Sequence, residues 1–172
     1  PNLLPVYNEA NLVTPDGMSV VWLLRLKGCR NVQRVYGPDL FLAACAEGVG
    51  LGWKHYFYGG VPGVAQQLAG KLKERMPGLH VVGTCSPPFG QPDAEQEKAL
   101  LDIVNTCRAD ILWVGMSSPW QETWMHAHLS KVKVPVMIGV GAAFDFLAGN
   151  KKQAPRWMQR SGLEWLFRLA GE

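Results

Sequence analysis

The stretch HYFYGGVPGVAQQLAGKLKERMPGLHVVG, residues 55–83, decides the fold. It opens on an apolar and aromatic run at His55–Tyr58 and passes through glycines into a segment of helical character at Val64–Arg75. A second apolar run follows at His80–Val82. A strand, a glycine turn, a helix and another strand in this order form a βαβ unit, in which the two strands are parallel.

The same pattern continues toward the C-terminus. Two further apolar runs occupy Ile111–Val114 and Val134–Val140, and helical segments precede them at Ala94–Arg108 and Trp120–Lys131. Short runs that are apolar throughout are typical of strands covered by helices on both faces. We therefore predict one α/β domain over residues 1–172, a Rossmann-like and mostly parallel sheet with helices on both faces.

The two ends of the chain lie outside this repeat. We predict helices at Asp16–Lys27 and Asp39–Glu47, each opening on Pro-Asp, and a short helix or strand at Tyr7–Val13. Residues Ala154–Gly171 predict one long amphipathic helix. Charged residues recur in it at every fourth position, namely Arg156, Arg160, Glu164 and Arg168.

Composition excludes several classes of protein. The 172 residues are 48% hydrophobic and 18% charged, which suits a single globular domain. The net charge of +3 is too small to indicate nucleic-acid binding, but it is compatible with an acidic ligand or an anionic lipid surface. The four cysteines form no CxxC pair, so zinc and thioredoxin-type sites are disfavoured and reduced thiols in a cytoplasmic protein are expected.

Glycine-rich turns follow the predicted strands. Parallel sheets bind ligands at the carboxyl ends of their strands, where glycine admits a ligand close to the backbone and a helix N-terminus attracts an anion. A phosphate-bearing ligand is therefore predicted at this edge. The turns are YGGVPG (58–63), VGTCSPPFG (82–90), VGMSSPWQE (114–122) and GVGAAFD (139–145). The glycines expected to contact the ligand are Gly37, Gly59, Gly60 and Gly141.

The last of these turns resembles the start of a dinucleotide-binding GxGxxG motif. Phe144 replaces the final glycine, and no obvious acidic partner for a ribose follows about 20 residues later. A nicotinamide-dependent oxidoreductase is therefore disfavoured. Asp145 lies between two phenylalanines, where a carboxylate needs a partner. Two interpretations of Asp145 stay open, a structural carboxylate bonded to backbone N–H groups and a partner for a ligand.

Asp16 and Asp39 both follow proline and precede a predicted helix. Helix capping is the simpler interpretation of each. Gly17 would let a substrate approach Asp16, which gives that residue a case as a general base.

Three more polar residues are candidates for ligand contacts. Arg34 precedes a Gly-Pro-Asp turn and would either clamp a phosphate or lie on the surface. The amide of Gln121 could read a nucleobase or a sugar. Glu122 lies at a predicted helix start, where a carboxylate is favoured by the helix dipole whether or not a ligand is present.

Taken together, seven blocks of the sequence resemble the WecG/TagA/CpsF family of bacterial glycosyltransferases. Their order and spacing match the family from about Asn8 to Leu169. The blocks are PDG (15–17), RVYGPDL (34–40), FYGGVPGVA (57–65), MPGLHVVGTCSPPF (76–89), PWQETWM (119–125), IGVGAAFDFLAG (138–149) and APRWMQRSGLEWLFRL (154–169).

The resemblance implies an inverting, metal-independent transferase that needs no cofactor. Such enzymes move N-acetylmannosamine, or a related sugar, from a UDP-sugar to N-acetylglucosamine on a polyprenyl diphosphate during surface-polysaccharide synthesis. By resemblance, the general base falls on Asp16, and ligand-binding residues fall on Arg34, Gln121 and Asp145. A non-catalytic nucleotide-binding or scaffold domain of the same fold is the alternative.

The resemblance also carries differences. The family's Pro-Lys-Gln-Glu reads Pro-Trp-Gln-Glu here, with Trp120 in place of lysine. The family's first strand and its basic C-terminal tail are expected to lie outside this chain. We expect a location at the inner face of the bacterial cell membrane, and we leave open a homo-oligomer. The C-terminal helix, with Arg156, Arg160, Lys151 and Lys152, would either dock on the sheet or contact anionic lipid.

Overall fold

A computed structural model describes residues 2–87 and 93–169. Its sheet has four strands, all parallel, in the order β2-β1-β3-β4. The α/β prediction is therefore confirmed. The strands are β1 (Lys54–Gly59), β2 (His80–Cys85), β3 (Ile111–Gly115) and β4 (Val136–Gly139).

The helices connect and flank these strands. Three of them begin at the predicted residues, Val64, Ala94 and Trp120. In chain order the described helices are α1 (Leu4–Glu9), α2 (Met18–Leu26), α3 (Gly37–Leu51), α4 (Val64–Arg75), α5 (Ala94–Thr106), α6 (Trp120–His128), α7 (Ala143–Ala148), α8 (Arg156–Arg160) and α9 (Glu164–Leu169). None of them is long and apolar enough to span a membrane.

The core has two layers, one on each face of the sheet. On one face α3, α4 and α7 pack on the strands, and the rings of Phe41 and Trp113 meet edge to face at 4.5 Å. On the other face Tyr56 and Tyr58 pack with residues of α5 such as Leu100. Because side chains alternate along a strand, β1 supplies both layers, and the predicted helices on both faces are confirmed.

The structure of the first three helices differs from two of the expectations. The segment predicted at Tyr7–Val13 is helical at Leu4–Glu9, and residues 12–16 are not helical. Capping by Asp16 and Asp39 is wrong, because Gly17 is the N-cap of α2 and Tyr36 is the N-cap of α3. Asp39 lies inside the first turn of α3, and Asp16 precedes its helix by two positions and pairs with an arginine instead.

The single long C-terminal helix is also wrong. The chain turns between α8 and α9, and Gly162 adopts a φ of +69°. A Cβ atom at Gly162 would lie 2.7 Å from the ring of Trp22, so this glycine permits both the turn and close contact with α2. The charges at every fourth position therefore do not form one helical stripe. Residues 170–172, and residues 88–92 of the turn after β2, lie outside the described residues.

Candidate functional site

A pocket of about 630 Å³ opens at the carboxyl edge of the sheet. The turns after β1, β3 and β4 supply part of its lining, and the strand order reverses between β1 and β3. This is the position at which open parallel sheets bind ligands, as the sequence predicted. From these turns the pocket takes Gly60, Val61, Met116, Ser117, Gly141 and Ala142.

Glycines let the backbones of β1 and β3 come together at the rim. Gly59 has a φ of +138°, and a Cβ atom there would lie 2.3 Å from the carbonyl oxygen of Gly115. The N–H of Gly60 donates to the same oxygen at 2.8 Å. Gly60 therefore lines the pocket, but its N–H is used within the protein, and Gly59 supports the rim without lining the pocket. Contact of either glycine with a ligand stays a prediction.

Gln121 supports the turn after β4. It is 8% exposed, and its side-chain oxygen accepts a hydrogen bond from the N–H of Gly141 at 2.7 Å. Its amide fits because Gly139 has no side chain, since a Cβ atom at that position would lie 2.4 Å from Nε2. Gly141 lines the pocket, whereas Gln121 holds Gly141 in place. The neighbouring Glu122 is half-buried, and its Oε2 atom has no hydrogen-bond partner among the described residues.

Asp145 lies in the pocket next to a lysine. Its carboxylate is 3.4 Å from Nζ of Lys151, and both side chains line the pocket. The backbone carbonyl of Asp145 accepts hydrogen bonds from the N–H groups of Asn150 and Lys151. These bonds at the end of α7 fix the backbone position of Lys151. Lys151 thus adds a cation that the sequence had suggested only for lipid contact.

Asp16 and Arg34 form a second group. The Nη2 atom of Arg34 lies 3.2 Å from Oδ1 of Asp16 and 2.8 Å from Oε2 of Glu164 on α9, while Nε donates to the backbone carbonyl of Asp16. Nη1 donates to the side-chain oxygen of Gln159 at 3.4 Å, and the guanidinium stacks 4.3 Å from the ring centre of Tyr36. Arg34 is consequently well buried, whereas the side chain of Asp16 is 60% exposed.

The two groups adjoin without merging. Arg34 and Tyr36 line a separate cavity of about 370 Å³, together with residues of α3 and α8. Gly37 connects the two regions, because a Cβ atom there would lie 3.0 Å from the carbonyl oxygen of Val140, the residue before Gly141. The structure therefore places Gly60, Gly141 and Asp145 in one pocket, and Gly37 packs the start of α3 against its edge.

Apart from Trp120, the side chains on one face of α6 were not predicted from the sequence to belong to the site. The side chains on that face line the pocket and recur at helical spacing, a pattern that could have identified them. They are Trp120, Thr123, Trp124, Ala127 and His128.

Tyr58 and Glu97 complete this side of the pocket. Burial, with smaller effects of Cys85, Glu97 and Tyr56, raises the pKa of Tyr58, so its hydroxyl stays neutral at physiological pH. Within residues 2–87 and 93–169 no group of three or more His, Cys, Asp or Glu side chains is placed to hold a metal ion.

Comparison with known proteins adds to this geometry. A sequence model described as the glycosyl transferase WecG/TagA/CpsF family matches residues 1–172. The chain is 27% identical over 169 residues to an N-acetylglucosaminyldiphosphoundecaprenol N-acetyl-beta-D-mannosaminyltransferase of Bacillus spizizenii, with 98% of this chain and 64% of the relative covered. It is 27% identical over 164 residues to the protein of the same name in Bacillus subtilis, with 95% and 62% covered. The chain therefore spans less than two thirds of the length of these relatives.

Proposed function

The chain belongs to the WecG/TagA/CpsF family of glycosyl transferases, and we propose that it carries the catalytic domain of an inverting transferase. The donor is a UDP-linked N-acetylhexosamine, with N-acetylmannosamine as the first candidate. The acceptor is N-acetylglucosamine on a polyprenyl diphosphate, and the product serves surface-polysaccharide synthesis. The observation that carries the proposal is the pocket at the carboxyl edge, because the family-like segment at 138–149 forms one of its walls.

The pocket suits the diphosphate of the donor. Lys151 is positioned by the end of α7 and offers a cation beside Asp145. The N-terminus of α6 begins at Trp120 in the lining, and its dipole favours an anion. The departing UDP carries developing negative charge, and positioned charges of this kind stabilise such a leaving group without the need for a metal.

Asp16 is the candidate general base. In an inverting transfer its carboxylate takes the proton from the acceptor hydroxyl as that oxygen bonds to the anomeric carbon. The bond from the anomeric carbon to the phosphate oxygen breaks, and its electron pair leaves with UDP. The side chain of Asp16 is 60% exposed and pairs with Arg34, and Gly37 packs the neighbouring start of α3 against the edge of the pocket.

A membrane contact follows from the acceptor. A polyprenyl diphosphate is embedded in a bilayer, so the transferase must work at its surface. Trp157 on α8 and Trp165 on α9 are 64% and 63% exposed, and Arg156 extends into solvent close by. Tryptophan and arginine together are typical of interfacial helices, so we place the enzyme at the cytoplasmic face of the membrane.

A transfer assay tests the proposal. The intact protein is incubated with UDP-N-acetylmannosamine and a polyprenyl-diphosphate-linked N-acetylglucosamine analogue, and mass spectrometry follows the acceptor. The expected result is a mass gain of one N-acetylhexosamine residue that depends on both substrates. Binding of UDP without any transfer would favour the non-catalytic alternative.

A further inference from the structure

One side of the pocket, lined by residues of β1, α5 and α6, is built differently from the glycine turns. We use the term aromatic wall for the stacked rings of Tyr58, Trp124 and His128. The ring centres of Tyr58 and Trp124 are 4.6 Å apart, and those of Trp124 and His128 are 4.2 Å apart with planes at 19°. His128 is 3% exposed. Tyr58 is 1% exposed and Trp124 is partly exposed, so Trp124 is the ring of this wall that a ligand can reach, and its packing against the two buried rings holds it in place.

Glu97 lies next to this wall and is fixed by it. The Nδ1 atom of His128 is 2.7 Å from the carbonyl oxygen of Trp124, which can only accept, so Nδ1 carries a hydrogen. The Nε2 atom lies within hydrogen-bond distance of Oε1 of Glu97. Lys131 approaches the same oxygen at 3.8 Å. The Oε1 atom of Glu97 is thus held in place by its contacts with His128 and Lys131.

The other carboxylate oxygen of Glu97 is available to a ligand. The side chain is 31% exposed and lines the pocket, and among the described residues no contact engages Oε2. A fixed carboxylate beside aromatic rings matches the chemistry of a sugar ring, which offers hydroxyl donors around an apolar body. Trp120, 60% exposed in the same lining, offers an open ring for that apolar body.

We propose that Glu97 accepts hydrogen bonds from hydroxyl groups of an N-acetylhexosamine ring bound against the aromatic wall. His128 is its positioning residue. This assignment rests on the proposed transferase function and identifies a sugar subsite within the same pocket. The ring belongs either to the donor or to the acceptor, and the two sources share this chemistry.

A purely structural role is the competing explanation. The contact between Glu97 and His128 ties α5 to α6, and such a tie would affect stability but not discriminate between ligands. The test therefore compares UDP with UDP-N-acetylhexosamine, because these two ligands differ only in the sugar.

Glu97→Gln is measured against Glu95→Gln, which removes the same charge from an exposed position in the same helical turn. If the subsite holds the donor sugar, calorimetry gives E97Q a loss of about ten-fold or more in affinity for UDP-N-acetylhexosamine and an unchanged affinity for UDP. If it holds the acceptor sugar, E97Q raises KM for the lipid-linked acceptor about ten-fold and leaves the donor affinity unchanged. E95Q behaves as wild type in both measurements.

His128→Gln separates positioning from folding. It should reproduce the selective loss of E97Q, and thermal unfolding reports separately on stability. Wild-type donor affinity and wild-type acceptor KM in E97Q would overturn the proposal, as would an equal loss for UDP and UDP-sugar.

The sugar subsite remains testable if the wild-type protein proves not to bind nucleotide and the transferase function fails. Free N-acetylmannosamine and N-acetylglucosamine are then titrated while NMR follows the indole N–H of Trp124. A shift in wild type that is lost in E97Q supports the subsite, and no shift with either sugar removes it.

Discussion

Arg34 is bonded to Glu164 across 130 positions of sequence, with Nη2 donating to Oε2 at 2.8 Å. Both side chains are largely buried, at 13% and 17% exposure. The bond joins the loop before α3 to α9, so it attaches the end of the described chain to the region of Asp16. It also engages the side chain of Arg34, which the family resemblance had assigned to ligand binding.

Loss of this ion pair should weaken the fold. Glu164→Gln leaves the guanidinium of Arg34 partly uncompensated, so the free energy of unfolding should fall by about 1–2 kcal/mol in denaturant titrations. Glu47→Gln, on the exposed side of α3, removes the same charge without this contact and should leave stability near wild type. Equal stability of the two variants would contradict a structural role for the bond.

Asp16→Asn should abolish catalysis while preserving the fold. Loss of a general base lowers the transfer rate by about 100-fold or more. Because the Asp16 side chain is 60% exposed, losing its contact with Arg34 should cost at most about 1 kcal/mol of stability. Transfer is followed by mass spectrometry and folding by circular dichroism. Asp39→Asn, which changes another carboxylate that follows proline, serves as the control and should retain far more activity. A near-wild-type rate for D16N would remove the base assignment.

Gln121→Leu should disturb the pocket through the turn after β4. The substitution leaves the N–H of Gly141 without its acceptor, which should cost about 1–3 kcal/mol of stability. UDP affinity should fall as well, because Gly141 lines the pocket. Gln66→Leu, on an exposed position of α4, is the matched change. Unaltered UDP binding in Q121L would show that the turn is held by other contacts.

Stability should decrease in mild acid because of His55. This ring is fully buried, its Nδ1 accepts from the indole N–H of Trp113 at 3.0 Å, and burial lowers its pKa from the ordinary 6.5. The unfolded chain therefore takes up a proton below about pH 6.5 that the folded chain resists. The free energy of unfolding falls with pH below that value, by at most about 1.4 kcal/mol per pH unit.

Chemical denaturation at pH 8, 7, 6 and 5 checks this sign. His55→Gln keeps an acceptor for Trp113 and removes the titrating group, so its stability should change less between pH 7 and pH 5. Parallel pH curves for wild type and H55Q would assign the effect to other groups.

Replacing both Trp157 and Trp165 with alanine should weaken membrane binding. These exposed rings lose their interfacial burial, and partitioning onto vesicles containing phosphatidylglycerol should drop about ten-fold or more. Co-sedimentation measures the bound fraction. Leu51→Ala removes a similarly exposed apolar side chain at the end of α3 and should have no effect. No binding by wild type would eliminate the proposed lipid contact.

The sequence predicted the βαβ core well because the signals there are local. Continuous apolar runs marked β1 and β3 to within one residue at each end, and glycine placed the turn before Val64. The C-terminal helix was misjudged because periodicity continues through Ser161 and Gly162. The helix ends just before Gly162, which adopts the left-handed conformation directly after the C-cap Ser161, so a local glycine signal for the end of α8 was present and was outweighed by the periodicity.

Part of the candidate site could be predicted as well, because the signals for that part are local. Glycine turns and the segment around Asp145 could be placed at the carboxyl edge because the strands were predicted to be parallel. The contact between Glu97 and His128 joins two helices separated by a strand, so it requires the packed structure. The bond between Arg34 and Glu164 is equally distant in sequence, and nothing in either segment indicates the other.

Gly37 determines how closely α3 packs against the edge of the pocket. Gly37 has no Cβ atom, so the start of α3 can rest on the backbone of Val140. This contact sets the spacing between the Asp16 region and the pocket. A Cβ atom at Gly37 would require the start of α3 or the backbone of Val140 to shift by a few tenths of an ångström, so a substitution here would displace the Asp16 region relative to the pocket. The proposed transfer reaction would be sensitive to that displacement.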